Sequence, residues 1–263
     1  MIDSGHNATT GWRPSWDIKY RMARDVLDYL FITNADQDHL SDLEGLWDEG
    51  IHVATLIRNP GVSPADLRKI KLQQGELTAD IERFLNIHAF YNEPVSAPFD
   101  QNMGGITMCT FWNPYPDFTD TNNLSLVVFI KFGGFKILFP GDMEKAGWLR
   151  LLDNPAFCEE LKGTNILVAS HHGRKNGFCE EIFDHFKPDA VVISDKPIVH
   201  ETQRMVPDYR EVVRSEGVFV RTTQKRRRVL TTRRDGNINF VVGDQGNYFI
   251  DTEAGNADFA QAA

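Results

Sequence analysis

The stretch that most restricts how this chain can fold is NLSLVVFIKFGGFKILFPGD, residues 123–142. Two apolar, β-favouring runs flank the pair Gly133-Gly134. A two-residue hairpin turn places both central residues at positive φ, which glycine reaches without steric cost, so the pair predicts an antiparallel hairpin. The second run ends in Pro-Gly-Asp, which sets Asp142 just beyond a strand.

The remaining sequence alternates helix-like and strand-like segments. Residues 16–26 predict a short helix, 27–33 a buried strand, 40–47 a helix and 52–58 a strand. Residues 63–91 open on Ser-Pro-Ala-Asp, a cap followed by proline at the first helical position. They continue in helix formers broken at Gly75, which predicts two helices. Strands follow over 105–112, 164–170 and 189–194, and helices over 143–152, 178–186 and 207–216, the last with Gly217 just past its end. Residues 218–249 are strand-rich, and the small, polar residues 251–263 predict a frayed tail. Without a clear linker, this pattern predicts one α/β domain over residues 1–250, with 60–103 as a helical insertion or lid.

The chain has 263 residues, 41% hydrophobic and 25% charged, which allows a sizeable core. Its net charge of −9 excludes whole-molecule attraction to nucleic acid, so such a contact would need a local basic patch. The three cysteines, Cys109, Cys158 and Cys179, form no CxxC pair, which argues against a cysteine zinc site or a disulfide framework and for a reducing cytoplasm. No signal peptide is visible, and the longest apolar run is broken by Lys131, Gly133, Gly134 and Lys136, so no membrane span is expected.

Chemistry-bearing residues collect after predicted strands. MIDSGH offers Asp3 and His6; NADQDH offers Asn34, Asp36, Asp38 and His39; FPGDME offers Asp142; VASHHG offers His171 and His172; and His200 follows the strand AVVIS. Carboxylates and imidazoles on loops held by rigid strands are how metal sites are usually built. Capping or turn roles are the plainer reading of Asp38 and Asp142, and a surface role that of His200. His52, His88 and His185 have no motif around them and read as structural. A basic cluster (Arg221, Lys225, Arg226, Arg227, Arg228, Arg233 and Arg234) reads either as a solvated hairpin or as a phosphate-contacting rim.

These motifs, in this order, resemble the metallo-β-lactamase fold, and within it the hydrolase domain of ComEC-type DNA-uptake proteins and their free-standing relatives. NADQDH is similar to the HxHxDH signature; DSG, N-x-S-L, GD and HHG follow the family's order over roughly residues 2–242. The resemblance implies an αββα sandwich with a dinuclear metal site at one edge; because the chain begins at MIDSG, the sandwich would lack its first strands. It also implies that Asp38 and His39 bind the second metal, that Asp142 bridges both, and that His200 or one of His171 and His172 completes the second-metal site. Asn34 and Asp36 would stand where first-metal histidines usually stand, with Asn123 or His6 as further ligands and Asp3 orienting a ligand from behind. One or two divalent ions are implied, Zn²⁺ or Mn²⁺, with Mg²⁺ also admissible; the oxygen-rich donor set suits Mn²⁺ or Mg²⁺ better.

The resulting expectation is a metal-dependent hydrolase, first of all a phosphodiesterase or nuclease using a metal-bound hydroxide, with DNA or a nucleotide as substrate. Asp38, His171 and His172 would be catalytic, and Arg13, Arg174, Lys175, Arg226 and Arg228 would contact substrate. Two alternatives stay open. One is a hydrolase of a small ester, lactone or cyclic nucleotide. The other is a catalytically degenerate binding or regulatory protein, which the Asn34 substitution keeps in play.

Overall fold

The computed structural model of the chain describes residues 1–93 and 103–254. They fall into two compact units, Met1–Ala97 with Trp112–Leu126 and Pro98–Phe111 with Val127–Ala263. The secondary structure is mixed α/β and includes a six-stranded sheet.

The first unit has very short strands. β1 (Val26–Leu27) pairs in parallel with β3 (His52–Val53), and β2 (Leu30–Phe31) with β4 (Leu56–Ile57). The strand expected over 27–33 is therefore shorter in regular pairing, although Leu30, Phe31 and Ile32 are all buried. Side chains take over the backbone donors that follow it: Thr33 N donates to Asp3 Oδ1 at 2.7 Å and Asp36 N to Asn34 Oδ1 at 2.7 Å. Such local bonds compete with a strand ladder.

The expected helix over 16–26 is likewise divided. α1 (Pro14–Trp16) runs into one π-helical turn over Asp17–Arg21. The helix stops where Ala23 takes φ of 51°, a left-handed conformation that cannot continue a right-handed helix. The segment 40–47 resolves into α2 (Gln37–Leu40) and α3 (Leu43–Asp48). Between them the Asp42 carboxylate accepts from Ser15 N at 2.8 Å.

α4 (Pro64–Gln74) and α5 (Ala79–Phe90) match the two-helix reading of 63–91. The Ser63 and Thr78 side chains accept from Asp66 N and Ile81 N, and the break falls at Gly75. Leu67, Ile70, Ile81, Phe84 and Leu85 from these helices share one core with Leu30, Leu40, Leu43 and Leu46. Of the segment 60–103 read as an insertion, residues 94–102 lie outside the described residues.

His88 on α5 is structural. Arg58 Nε donates to its Nδ1 at 2.9 Å, and since a guanidinium only donates, the proton sits on Nε2, which donates to Val62 O at 3.0 Å. Burial lowers the His88 pKa, and the facing Arg58 charge lowers it further. Protonation therefore favours the unfolded chain. The stability contribution is intact above the ordinary histidine pKa of about 6.5 and falls as pH drops below it. The urea midpoint is expected to decline on acidification from pH 7.5 to 5.5, and His88→Gln to flatten that decline. An equal slope in the variant would assign the pH dependence to other groups.

In the second unit the six-stranded sheet runs β12-β9-β8-β7-β6-β5, from β5 (Thr107–Trp112), β6 (Leu126–Phe132), β7 (Phe135–Phe139), β8 (Ile166–Val168), β9 (Ala190–Ile193) and, below, β12. The Gly-Gly hairpin forms as expected: β6 and β7 pair antiparallel with Phe132 opposite Phe135, and Gly133 and Gly134 take φ of 55° and 92°. β8 is parallel to both β7 and β9.

Alternation divides this sheet's side chains between two cores. Leu167, Val191 and Ile193 join Trp148 and Leu151 of α6 (Lys145–Leu152) and Phe157 and Leu161 of α7 (Pro155–Leu161). Ile166, Ala190 and Val192 point instead to a core with Val218, Val220 and Ile250. Those residues belong to a four-stranded sheet of β10 (Val218–Val220), β11 (Lys225–Arg227), β13 (Ile238–Val242) and β14 (Tyr248–Thr252). The unit is thus layered helix, sheet, sheet.

The strand-rich segment 218–249 supplies both sheets, because β12 (Val229–Thr231) leaves to pair in parallel with β9. The helix expected over 178–186 is a 3₁₀ turn over Glu180–Asp184, and that over 207–216 is shortened to α8 (Val206–Glu211). Of residues 251–263, Asp251 and Thr252 close β14 and 255–263 lie outside the described residues. Among the described residues no helix is long and apolar enough to cross a membrane.

Candidate metal centre

The first unit builds a histidine held from behind. The DSG segment folds over the segment Asp38-His39. Ser4 N donates to His39 O and Asp42 N to Ser4 O, at 2.8 and 2.9 Å. An added Cβ at Gly5 would stand 2.1 Å from Asp38 O, so only glycine permits this approach. Asp3 itself takes φ of 54°. Its carboxylate accepts from Thr33 N at 2.7 Å, from Thr33 Oγ1 at 2.6 Å and from His39 Nδ1 at 2.9 Å. With Nδ1 donating to Asp3, the neutral form of His39 presents Nε2 as its lone-pair nitrogen. A carboxylate behind an imidazole fixes tautomer and ring orientation in this way for metal-ligating histidines. His39 is buried and Asp38 is exposed.

The second unit carries the other histidines on a strained turn. His171 and His172 take φ of 50° and 53°, and Gly173 follows at 70°. A Cβ on Gly173 would lie 2.8 Å from Ile193 Cγ2, and one on Gly177 2.6 Å from Ser170 O, so both glycines let the loop pack closely. His171 N donates to Gly141 O at 3.1 Å, which ties this turn to the turn carrying Asp142. His172 Nδ1 lies 2.9 Å from Ser194 O; a carbonyl can only accept, so Nδ1 carries a proton, and in the neutral form Nε2 is again the lone-pair nitrogen. That Nε2 is 3.6 Å from Asp142 Oδ1.

His171 is placed differently. Its Nδ1 is 3.4 Å from Glu144 Oε1, and its Nε2 is 3.9 Å from Asp142 Oδ2 and 3.4 Å from Arg174 Nη1. Burial lowers its pKa; Asp142 opposes the shift and Arg174 adds to it. Nearby, burial raises the Asp195 pKa, against the pull of its Arg233 partner.

Asp38 and His39 in the first unit, and Asp142 and His172 in the second, are Asp and His side chains that could bind a metal ion. The other residues singled out in the sequence are held as follows. His200 is exposed and starts a short turn, with its N–H donating to Gln203 Oε1. His6 is fixed to Ser41, Nδ1 to O at 3.0 Å. Asn123 is buried, and its amide donates to the Asp120 carboxylate. Asn34 and Asp36 are held by Thr121 and Lys71.

Of the residues assigned to substrate, Arg174 lies beside His171 and Lys175 is exposed. Arg13 stacks over Trp16 and lies 3.8 Å from Asp42. The basic cluster is largely paired inside the second unit: Arg221 with Asp251, Arg227 with Asp235, Arg228 with Glu216 and Arg233 with Asp195. Arg226 donates to Gly217 O. Sequence reading missed Glu144, Thr33 and the Ser194 carbonyl. Thr33 and Glu144 stand beside the motifs, whereas the carbonyl has no sequence signal.

The geometry therefore describes a candidate metal site in a mixed α/β chain. The chain is similar to ComE operon protein 3 of Bacillus subtilis strain 168, with 27% identity over 173 residues, covering 64% of this chain and 20% of that protein. It thus spans about a fifth of the length of the curated relative it matches. No family model matches the chain.

Proposed function

We propose that the chain is a metal-dependent hydrolase of phosphodiesters built on a metallo-β-lactamase-type sandwich. The carrying observation is the pair of fixed tautomers: Asp3 behind His39 and the Ser194 carbonyl behind His172 both turn Nε2 into the lone-pair nitrogen, the state a metal ligand needs. The group Asp38, His39, Asp142 and His172 would hold the ion. A bound divalent ion supplies a water of lowered pKa and draws charge from a phosphoryl oxygen.

The chain's own residues do the rest. His171, with burial favouring its neutral form, can accept and return a proton beside Asp142. Arg174 sits 3.4 Å from that imidazole and can bear on a phosphate oxygen. Because four arginines of the basic cluster already face carboxylates, the reading favours recognition of a phosphodiester near Arg174 over a long basic groove.

The test is a side-by-side assay with Mn²⁺ or Zn²⁺ supplied, using bis-p-nitrophenyl phosphate, single-stranded DNA and a lactone. Turnover of a phosphodiester is expected; turnover of the lactone alone would reject the reading for the small-ester alternative, and no metal uptake would favour a binding protein. Asp3→Ala is expected to weaken metal affinity by about 10–100-fold, as loss of such a supporting carboxylate does. Competition with a fluorescent chelator measures it, and unchanged affinity would detach Asp3 from the site.

A further inference from the structure

Lys71 on α4 is only 6% exposed, and a lysine is rarely so buried unless it is paired. Its ammonium donates to Asp36 Oδ1 at 2.7 Å and to Gln74 Oε1 at 2.6 Å. Gln74 Nε2 passes a bond to Thr121 Oγ1 at 3.3 Å, and Asn34 Nδ2 donates to Thr121 O at 3.3 Å. Asp36 N donates back to Asn34 Oδ1 at 2.7 Å. The five residues close a ring of hydrogen bonds. Asn34 Nδ2 also donates to Ser125 Oγ at 3.1 Å, which fixes the amide with its oxygen toward Asp36.

This ring bears on the number of ions the chain takes. Asp36 lies two residues before Asp38, and an uncompensated carboxylate there would be drawn to any divalent ion. Lys71 compensates it from the protein interior, and a charge-assisted bond of 2.7 Å is of the strong kind. Asn34 spends its oxygen on Asp36 N, and three acceptors share the two N–H groups of its amide.

We propose that Lys71 is a resident cation that keeps Asp36 and Asn34 out of the ligand set, so that the chain binds one divalent ion where an unpaired Asp36 would admit a second. The proposal rests on the metal-site reading above for the ion that is bound. It makes Lys71 a positioning residue, fixed at Asp36.

Equilibrium dialysis against Mn²⁺, followed by elemental analysis, tests it on the full chain, with circular dichroism checking the fold. Wild type and Asp36→Asn are expected to hold one ion each. Lys71→Met is expected to gain a second, weaker ion at the freed carboxylate, and Asp36→Asn/Lys71→Met to return to one. Two ions in the wild type, loss of the ion in Asp36→Asn, or no gain in Lys71→Met would overturn the proposal. If Lys71→Met does not fold, Lys71→Gln takes its place with the same expectation. Asp142→Ala serves as the separate control: a count equal to wild type would defeat the metal-site reading, while the difference between the Lys71 variant and wild type still decides the role of Lys71.

Discussion

Asp142→Ala is expected to lower metal-dependent phosphodiester turnover by at least about 100-fold, since losing one charged contact to the ion removes roughly 3 kcal/mol and each 1.4 kcal/mol is tenfold. The side chain is buried, with its two oxygens 3.6 and 3.9 Å from the Nε2 atoms of His172 and His171. The turn that carries it depends on main chain: Gly141 takes φ of 58°, and its carbonyl accepts from His171 N. Neither needs the carboxylate, so the variant keeps its fold. Asp142→Asn preserves shape while removing charge, and an equal loss there assigns the effect to charge. Steady-state assays with bis-p-nitrophenyl phosphate and a urea melt of each variant check both halves. Turnover within tenfold of wild type would take Asp142 out of the site.

Local chemistry explains which elements were readable. The Gly133-Gly134 hairpin was legible because the turn needs what glycine alone supplies cheaply, and its register follows from that turn. The two helices over 63–91 were legible because their caps are written in sequence, with Ser63 and Thr78 accepting the backbone bonds their residue types favour. The strand over 27–33 was overestimated because apolar content marks burial, whereas its pairing ends where Asp3 and Asn34 take the next amide protons. That loss depends on a residue about 30 positions away.

The site divides in the same way. Asp38, His39, Asp142 and His172 stood out because polar residues directly after buried runs need a reason. That Asp3 orients a ligand was expected only through the family resemblance, and its contact with His39 had no local signal, since the two residues are 36 apart. Lys71 gave no signal: in α4 it reads as a surface helix lysine, and only its contact with Asp36 shows otherwise. The basic cluster is the opposite case. Its charge is visible in the sequence, and the carboxylates that answer it come from residues 195, 216, 235 and 251.

The largest effect on stability is expected from Phe157→Ala, a loss of about 3–5 kcal/mol. Phe157 is fully buried on α7, a helix started by Asn154, whose side chain accepts from Ala156 N at 3.0 Å, and by Pro155. Its ring lies 5.1 Å from Phe111 at 73°, 6.1 Å from Phe129 at 65° and 6.1 Å from Trp148 at 36°. Tilted and edge-to-face pairs of this kind add roughly 0.5–1.5 kcal/mol each beyond burial. Removing the ring opens a cavity between α6, α7 and the sheet that three large neighbours cannot close without leaving their rotamers. At about 2–4 °C per kcal/mol for a chain of this size, the melting temperature should fall by roughly 10 °C. The site should feel it as well, because Trp148 Nε1 donates to Gly177 O at 3.2 Å, just beyond the His171-His172 turn. A loosened Trp148 frees that loop, so metal affinity should drop in the folded variant below its melting temperature. Phe157→Leu, which fills most of the space, should recover more than half of both losses. A shift under about 1 kcal/mol in Phe157→Ala would show that this aromatic cluster repacks freely and does not support the loop.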